Sequence, residues 1–361
     1  MIVLHTESSL GWGGQENRTL NEMLGLREFG HTAMLACQPG ARLGARAREA
    51  GFTVFETPMR SAIDLPAILR LRRCMAEQRP DVVNTHSSRD TQLAGLAARL
   101  LVRRPRIVRT RHLALRITSK FTYSVLPDHV VAVSGHVAHY LISAGVSANR
   151  ISTVHTGIDL ARYARGLVPG NLREELGLAV DTPLIGTVAI LRRKKGHADL
   201  LEAIPAVLER FPNAHFVFAG DGPQRANIER RIAAMQLGEH VHLLGLRRDV
   251  VNVLASLDLF VLPTHQEALG TAFVEAGAVG LPCVGTKVDG VPEVIDDGKT
   301  GLLVPVHDSA ALAQAIIALL ADPARRHAMG EAASRHVKQK FSREAMVDGM
   351  IGVYQQLLQC R

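Results

Sequence analysis

Two carboxylates, Glu267 and Glu275, stand eight positions apart in the run Pro263-Thr264-His265-Gln266-Glu267-Ala268-Leu269-Gly270-Thr271-Ala272-Phe273-Val274-Glu275. An apolar strand ends at Leu262, and the pattern predicts a helix from about Gly270 to Val279, stopped by Gly280-Leu281-Pro282. Helical side chains lean toward the N-terminus, so Glu275, one turn inside, reaches back over the helix start. Carboxylates accept hydrogen bonds from sugar hydroxyls, and the free amides of a helix start, here at Gly270 and Thr271, hold phosphate. Together they suit a nucleotide-sugar. The competing reading is a capping box, Thr264-x-x-Glu267, in which Glu267 serves only the helix terminus. Gly270 would then fall inside the first helical turns.

Four further groups carry chemistry. Arg192-Arg193-Lys194-Lys195-Gly196 follows a strand and opens a helix. Cations there suit neutralisation of a diphosphate, against the alternative of a solvated basic turn. Gly220-Asp221-Gly222 also ends a strand and lets backbone approach a base or ribose. Gly11-Trp12-Gly13-Gly14-Gln15-Glu16 lies between the first strand and the first helix. Gly13 and Gly14 let amides approach an anion, or simply make a tight turn; the G-x-G-x-x-G spacing of dinucleotide sites is absent. His86 and His112 end strands of the first half and are either site residues or core histidines. Arg109 and Arg111 adjoin His112 and are placed to face an acceptor phosphate. No Asp-x-Asp occurs and the cysteines show no ligand spacing, so no metal site is expected.

The elements that must position these groups form two consecutive series. Strands are predicted at Ile2–His5, Thr32–Ala36, Val82–Thr85, Ile107–Thr110, His129–Ala132 and Ile151–Val154. A second set covers Leu184–Val188, His215–Ala219, Val241–Leu244, Leu259–Leu262, Pro282–Gly285 and Gly301–Val304. Helical patterns such as Glu16–Glu28, Gln92–Leu101, Ala198–Glu209, Arg225–Met235 and Ala310–Leu320 alternate with them. Short, wholly apolar strands between helices signal an α/β fold with parallel sheets covered on both faces. The expectation is two doubly wound domains, 1–165 and 171–341, with Gly166-Leu167-Val168-Pro169-Gly170 as linker and an amphipathic helix from Ser342 to about Leu358. In such sheets ligands bind beyond the carboxyl ends of the strands, and two facing domains make a cleft.

The 361 residues suit two domains at roughly 100–200 residues each. At 47% hydrophobic and 21% charged, the chain is neither disordered nor fibrous. No run approaches 18 apolar residues, and the N-terminus reads as a strand, not a signal peptide. Cys37, Cys74, Cys283 and Cys360 form no framework, which points to a reducing cytoplasm. The net charge of +8 is uneven: residues 1–165 hold 22 Lys and Arg against 12 Asp and Glu, and residues 91–127 hold no acid. Such a field attracts phosphates or anionic lipid. With 4% aromatic residues and no reading motif, nucleic acid is not expected as a partner.

Taken together, the motifs resemble the retaining glycosyltransferases of family 4, also called glycosyl transferases group 1, which have the GT-B fold of two Rossmann-like domains. The likeness covers nearly the whole chain: Gly13-Gly14-Gln15-Glu16, Val154-His155-Thr156-Gly157-Ile158-Asp159, Lys195-Gly196, the Glu267/Glu275 spacing, Gly290-Val291-Pro292-Glu293 and Gly301-Leu302-Leu303-Val304-Pro305. It is nearest to bacterial members acting on lipopolysaccharide or other envelope glycans. The resemblance implies that Glu267 contacts the transferred sugar, Glu275 the ribose, and the amides at Gly270 and Thr271 the sugar or phosphate. Lys195, helped by Arg192, would hold the diphosphate, and His112 would lie beside the sugar. The C-terminal helix would cross back onto the first domain. The usual Gly-Arg upstream of the lysine is Ala189-Ile190 here, so Arg192 or Arg193 stands in for the missing cation. The implied reaction is metal-independent transfer from a nucleotide diphosphate sugar, UDP-linked by preference, with no cofactor. A sugar-nucleotide epimerase and a silent nucleotide-sugar-binding protein are the alternatives.

Overall fold

The computed structural model describes every residue except Ala114, Thr118, Ala164, Arg165, Cys360 and Arg361. Cys360 and the Arg165 end expected for the first domain thus lie outside the described residues. The chain divides into two compact units, Met1–Ile158 with Ser342–Arg361, and Asp159–Phe341.

In the first unit, β1 (Ile2–Glu7), β2 (Thr32–Cys37), β3 (Thr53–Glu56), β4 (Val82–Thr85), β5 (Arg106–Arg111), β6 (His129–Ala132) and β7 (Ile151–Thr153) form a parallel sheet in the order β3-β2-β1-β4-β5-β6-β7. Neighbouring residues in a strand point to opposite faces. Val3, Leu35, Val82, Val108 and Val131 therefore pack on one side, and Leu4, Met34, Val83 and Ile107 on the other. The first side is covered by α1 (Gly14–Glu28) and by the last helix of the chain (Arg343–Gln359), through Met346, Val347, Met350 and Tyr354. The sequence pattern missed β3. It is a four-residue edge strand, only half buried, and Thr53-Val54-Phe55-Glu56 offers no apolar run.

The second unit holds β8 (Leu184–Val188), β9 (His215–Ala219), β10 (Val241–Gly245), β11 (Leu259–Leu262), β12 (Cys283–Thr286) and β13 (Gly301–Val304), parallel, in the order β10-β9-β8-β11-β12-β13. The expected linker 166–170 falls inside this unit. The chain after it is pinned where Asn171 N donates to Asn252 Oδ1 (3.1 Å) and Leu172 N to Ser256 Oγ (3.1 Å). The chain leaves the first unit at Ile158 and returns at Ser342, where these two residues form a parallel bridge and Arg343 N donates to Ile158 O (2.8 Å). No helix among the described residues is long and apolar enough to cross a membrane.

Candidate active site

In the second unit, β8 runs into Arg192 and a short 3-10 turn, Arg193–Lys195, before the helix His197–Arg210. Gly196 makes the corner at φ +70°, with its α-carbon so close to the Pro263 carbonyl that a Cβ would overlap it. This contact holds the Lys195 turn against the loop that follows β11. There the Lys195 ammonium pairs with the Glu267 carboxylate. The Glu267 loop is fixed from the other side: its amide donates to Asp289 Oδ2 (3.0 Å), and Gly290 N donates to Glu267 O (3.1 Å).

The helix after this loop is Thr271–Ala278, entered through Gly270 at φ +98°. Phe273 N already bonds back to Gly270 O, whereas Thr271 and Ala272 precede the first intrahelical bond, so their amides are the free donors of the terminus. The capping-box alternative does not form. Thr264 Oγ1 instead donates to Lys194 O (3.0 Å), seven residues ahead of the helix. Glu275 sits one turn inside that helix. It accepts from the hydroxyl of Tyr163, and burial pushes its carboxyl up to about 7. Tyr163 was not foreseen; it comes from a turn more than a hundred positions away.

Gly220 and Gly222 end β9 directly against the backbone of Ala189 and Leu191, where Leu191 N donates to Asp221 O (3.0 Å). Beside them Ala189, Ile190, Gly220, Leu246 and Val250 line an apolar pocket of about 200 Å³. Its size and walls suit one flat base. Arg192 and Arg193 are both exposed and line a second, polar cavity of about 660 Å³ with Asp199, His265 and His307. The fold therefore presents both arginines to the same space.

In the first unit, Gly13 and Gly14 lie at the start of α1 as expected, with Asn17 N bonding to Gly13 O (3.0 Å). His86 and His112 are buried and belong to a chain of three rings that the sequence did not show. His112 Nε2 meets His86 Nδ1 (3.0 Å), and His86 Nε2 meets His5 Nδ1 (3.1 Å). His5 Nε2 then stands 4.0 Å from Glu22, whose Oε1 accepts from Tyr354 (2.5 Å) and Asn84 (3.1 Å). Burial holds all three imidazoles below their usual range, so each is neutral and carries one N–H. An N–H on His5 Nε2 turned toward Glu22 would set the direction: His86 would then donate to His5 and His112 to His86, with His112 Nδ1 as an acceptor.

Arg109 is turned into the protein and not toward a cleft. Its guanidinium is buried, stacks 3.8 Å over the Tyr123 ring, and donates to Tyr123 OH (2.8 Å), Ser88 Oγ (3.1 Å) and Thr122 O (3.2 Å). It ties the segment after β5 to the strand end, and its burial does not fit the expected role of facing an acceptor phosphate. Arg111 is partly exposed and donates to Leu115 O (2.5 Å).

Comparison with known proteins decides the family. Residues 170–336 match the profile of the glycosyl transferases group 1, and residues 12–162 match glycosyltransferase family 4. The chain belongs to glycosyltransferase family 4. Among the relatives of this glycosyltransferase, N-acetyl-alpha-D-glucosaminyl L-malate synthase of Bacillus anthracis is 28% identical over 85% of this chain and 82% of its own. UDP-Gal:alpha-D-GlcNAc-diphosphoundecaprenol alpha-1,3-galactosyltransferase of Escherichia coli is 27% identical over 72% of this chain and 71% of its own. With several other curated relatives the match spans only 48% to 62% of their length. The fold is that of a glycosyltransferase from Rickettsia africae, with a TM-score of 0.89 at 21% identity over 99% of this chain and 98% of that one. The two parallel sheets described above are thus the two Rossmann-like halves of a GT-B glycosyltransferase.

Proposed function

We propose that this glycosyltransferase moves one sugar from a nucleotide diphosphate sugar to a cell-envelope glycan or lipid-linked acceptor such as lipopolysaccharide, with retention at the anomeric carbon. The observation that carries the reading is the convergence in the second unit of Lys195, Glu267, the free amides at Thr271 and Ala272, and Glu275 one turn behind them. The base enters the apolar pocket beside Gly220 and Gly222. Ribose hydroxyls donate to Glu275, and sugar hydroxyls donate to Glu267. As the bond from the anomeric carbon to phosphate oxygen breaks, the diphosphate keeps the electron pair. Lys195, Arg192 or Arg193, and the helix N-terminus stabilise its charge. The acceptor oxygen bonds to the same face of the sugar, and its proton passes to the leaving phosphate. No step calls on a metal or cofactor. The resemblance assigns His112 to the sugar, and its Nδ1 suits a sugar hydroxyl as donor. His86 supports it, and Arg111 is the acceptor-side cation that Arg109 is not.

The uridine preference rests on the Escherichia coli relative, whose name carries UDP-Gal, and the lipid-linked acceptor on the diphosphoundecaprenol in the same name. An anionic membrane surface fits the first unit, where the exposed Leu113, Leu115, Phe121 and Val125 stand among Arg116 and Lys120 in the acid-free stretch. The enzyme would then work at the inner face of the cytoplasmic membrane. The test is a panel of nucleotide sugars by calorimetry, followed by mass spectrometry with lipid-linked acceptors. Acceptor-dependent glycosylation is expected. Conversion of the donor alone would mark an epimerase, and binding without turnover a silent binding protein.

A further inference from the structure

A cluster that the transfer reaction does not use lies behind the Lys195–Glu267 pair. Asp199 is in the first turn of the helix His197–Arg210, His265 is in the loop after β11, and His307 is in the loop after β13. His265 Nε2 is 2.8 Å and His307 Nδ1 is 3.4 Å from the same oxygen, Asp199 Oδ2. One ligand atom from each residue lies within 4.8 Å of the other two, and the imidazole centroids are 3.9 Å apart. His307 takes a backbone φ of +63°, a left-handed conformation that a residue with a side chain rarely adopts. In this conformation its ring lies against His265 and Asp199.

We propose that Asp199, His265 and His307 bind one divalent transition-metal ion of the zinc or cobalt type. Two imidazole nitrogens and one carboxylate oxygen are the donor set such ions take, and hard oxygen-seeking ions such as magnesium do not favour it. Three protein ligands leave at least one coordination position open, and the three residues line the cavity of about 660 Å³. Arg192, Arg193, Arg230 and Arg231 line it too and oppose a dication, while Glu202 and Asp199 favour one. The open position thus faces an anion-attracting wall, where water or a phosphate oxygen completes the shell.

The ion would act as a clamp. His265 is two residues ahead of Glu267, and its amide donates to Lys194 O (2.7 Å). Asp199 N bonds back to Gly196 O (2.9 Å), at the corner that follows Lys195. A metal joining Asp199 to His265 therefore ties together the two loops that present Lys195 and Glu267.

The test uses the full chain without a histidine tag, titrated with cobalt chloride and read by visible d–d absorption, then with zinc chloride as competitor. One equivalent is expected to bind, with zinc displacing it, and His265→Ala and His307→Ala should each weaken binding by roughly tenfold or more. The double variant His215→Ala/His242→Ala removes a different close histidine pair of the same unit, whose ring nitrogens are 2.9 Å apart, and should leave binding unchanged. Zinc should also raise the melting temperature of the wild type and not of His265→Ala, and EDTA should reverse the rise. Absence of binding at about 0.1 mM metal, where a useful ligand would already shift stability, overturns the proposal. So does binding that survives both single variants. Neither result touches the donor-site reading, which is tested by nucleotide-sugar affinity with EDTA present.

Discussion

The Lys195 ammonium and the Glu267 carboxylate, which the proposed reaction assigns to the diphosphate and to the sugar joined to it, are paired with each other. Both are largely buried, so neither charge is free to wait in solvent for its ligand. On the proposed roles, a diphosphate arriving at Lys195 would compete with Glu267, a sugar arriving at Glu267 would compete with Lys195, and the whole donor would satisfy both at once.

This pairing sets the first expectation. Glu267→Gln should leave the free nucleotide diphosphate bound at least as well as in wild type, because Lys195 is released from its partner. Affinity for the nucleotide sugar and turnover should both fall. Lys195→Ala should weaken both ligands by at least about tenfold, since charged hydrogen bonds are worth roughly 1.5–3 kcal/mol. Calorimetry with each ligand separates the cases; equal losses for both ligands in Glu267→Gln would show that Glu267 does not read the sugar.

Donor affinity should depend on pH through Glu275. Burial pushes its carboxyl up to about 7, and ribose hydroxyls donate far more strongly to the ionised form. Affinity should be full above that value and decline as pH falls through it, levelling off at the weaker affinity of the protonated form. The nucleotide sugar is the right probe, because its phosphates are diesters that do not titrate in this range. Glu275→Gln should be weak and flat. A wild-type affinity equal at pH 6 and pH 8 would remove Glu275 from the ribose.

His112→Ala should lower the single-turnover rate and leave nucleotide diphosphate affinity nearly unchanged. His86→Leu should lower the rate by a smaller factor, since it keeps the ring of His112 but removes the partner that fixes its acceptor nitrogen. An unaltered rate in His112→Ala would return all three histidines to a packing role.

Membrane association should follow the exposed residues and not the whole basic stretch. Arg104 is committed to both oxygens of Asp128 (2.8 and 3.0 Å), and Arg99 to the carbonyls of Gly95, Val125 and Leu126. Replacing those two should cost stability. Arg116→Gln/Lys120→Gln with Leu115→Ser and Phe121→Ser should instead reduce sedimentation with anionic vesicles, since a juxtamembrane cation contributes about 1 kcal/mol. Activity on a soluble acceptor fragment should persist. Wild-type protein that ignores anionic vesicles at low salt would end the idea.

The central strands were legible because they are buried on both faces, so the apolar run is continuous; the edge strands β7, β10 and β13 are only partly buried but keep enough apolar residues to be read, whereas the edge strand β3, Thr53-Val54-Phe55-Glu56, does not. The helix starting at Thr271 was legible from its glycine and its proline stop. What could not be read was long-range. Tyr163 on Glu275, His5 behind His86, and Asp199 with His265 and His307 each join segments far apart in sequence, with no local spacing to announce them. Arg109 was misread for a related reason. Its place at a strand end is what a ligand-binding residue would have, but the short helix Phe121–Ser124, invisible in the pattern, covers it.

The bridge between Ile158 and Ser342 has a consequence for synthesis. The first unit lacks one cover of its sheet until the helix Arg343–Gln359 has been made, because Met346, Val347, Met350 and Tyr354 complete that core. The second unit is continuous in sequence from Asp159 to Phe341 and needs nothing that follows. On a ribosome, where domains fold as they become complete, the second unit can close its core without the chain that follows it, whereas the first keeps the part of its core beside α1 unfilled until the last helix is made.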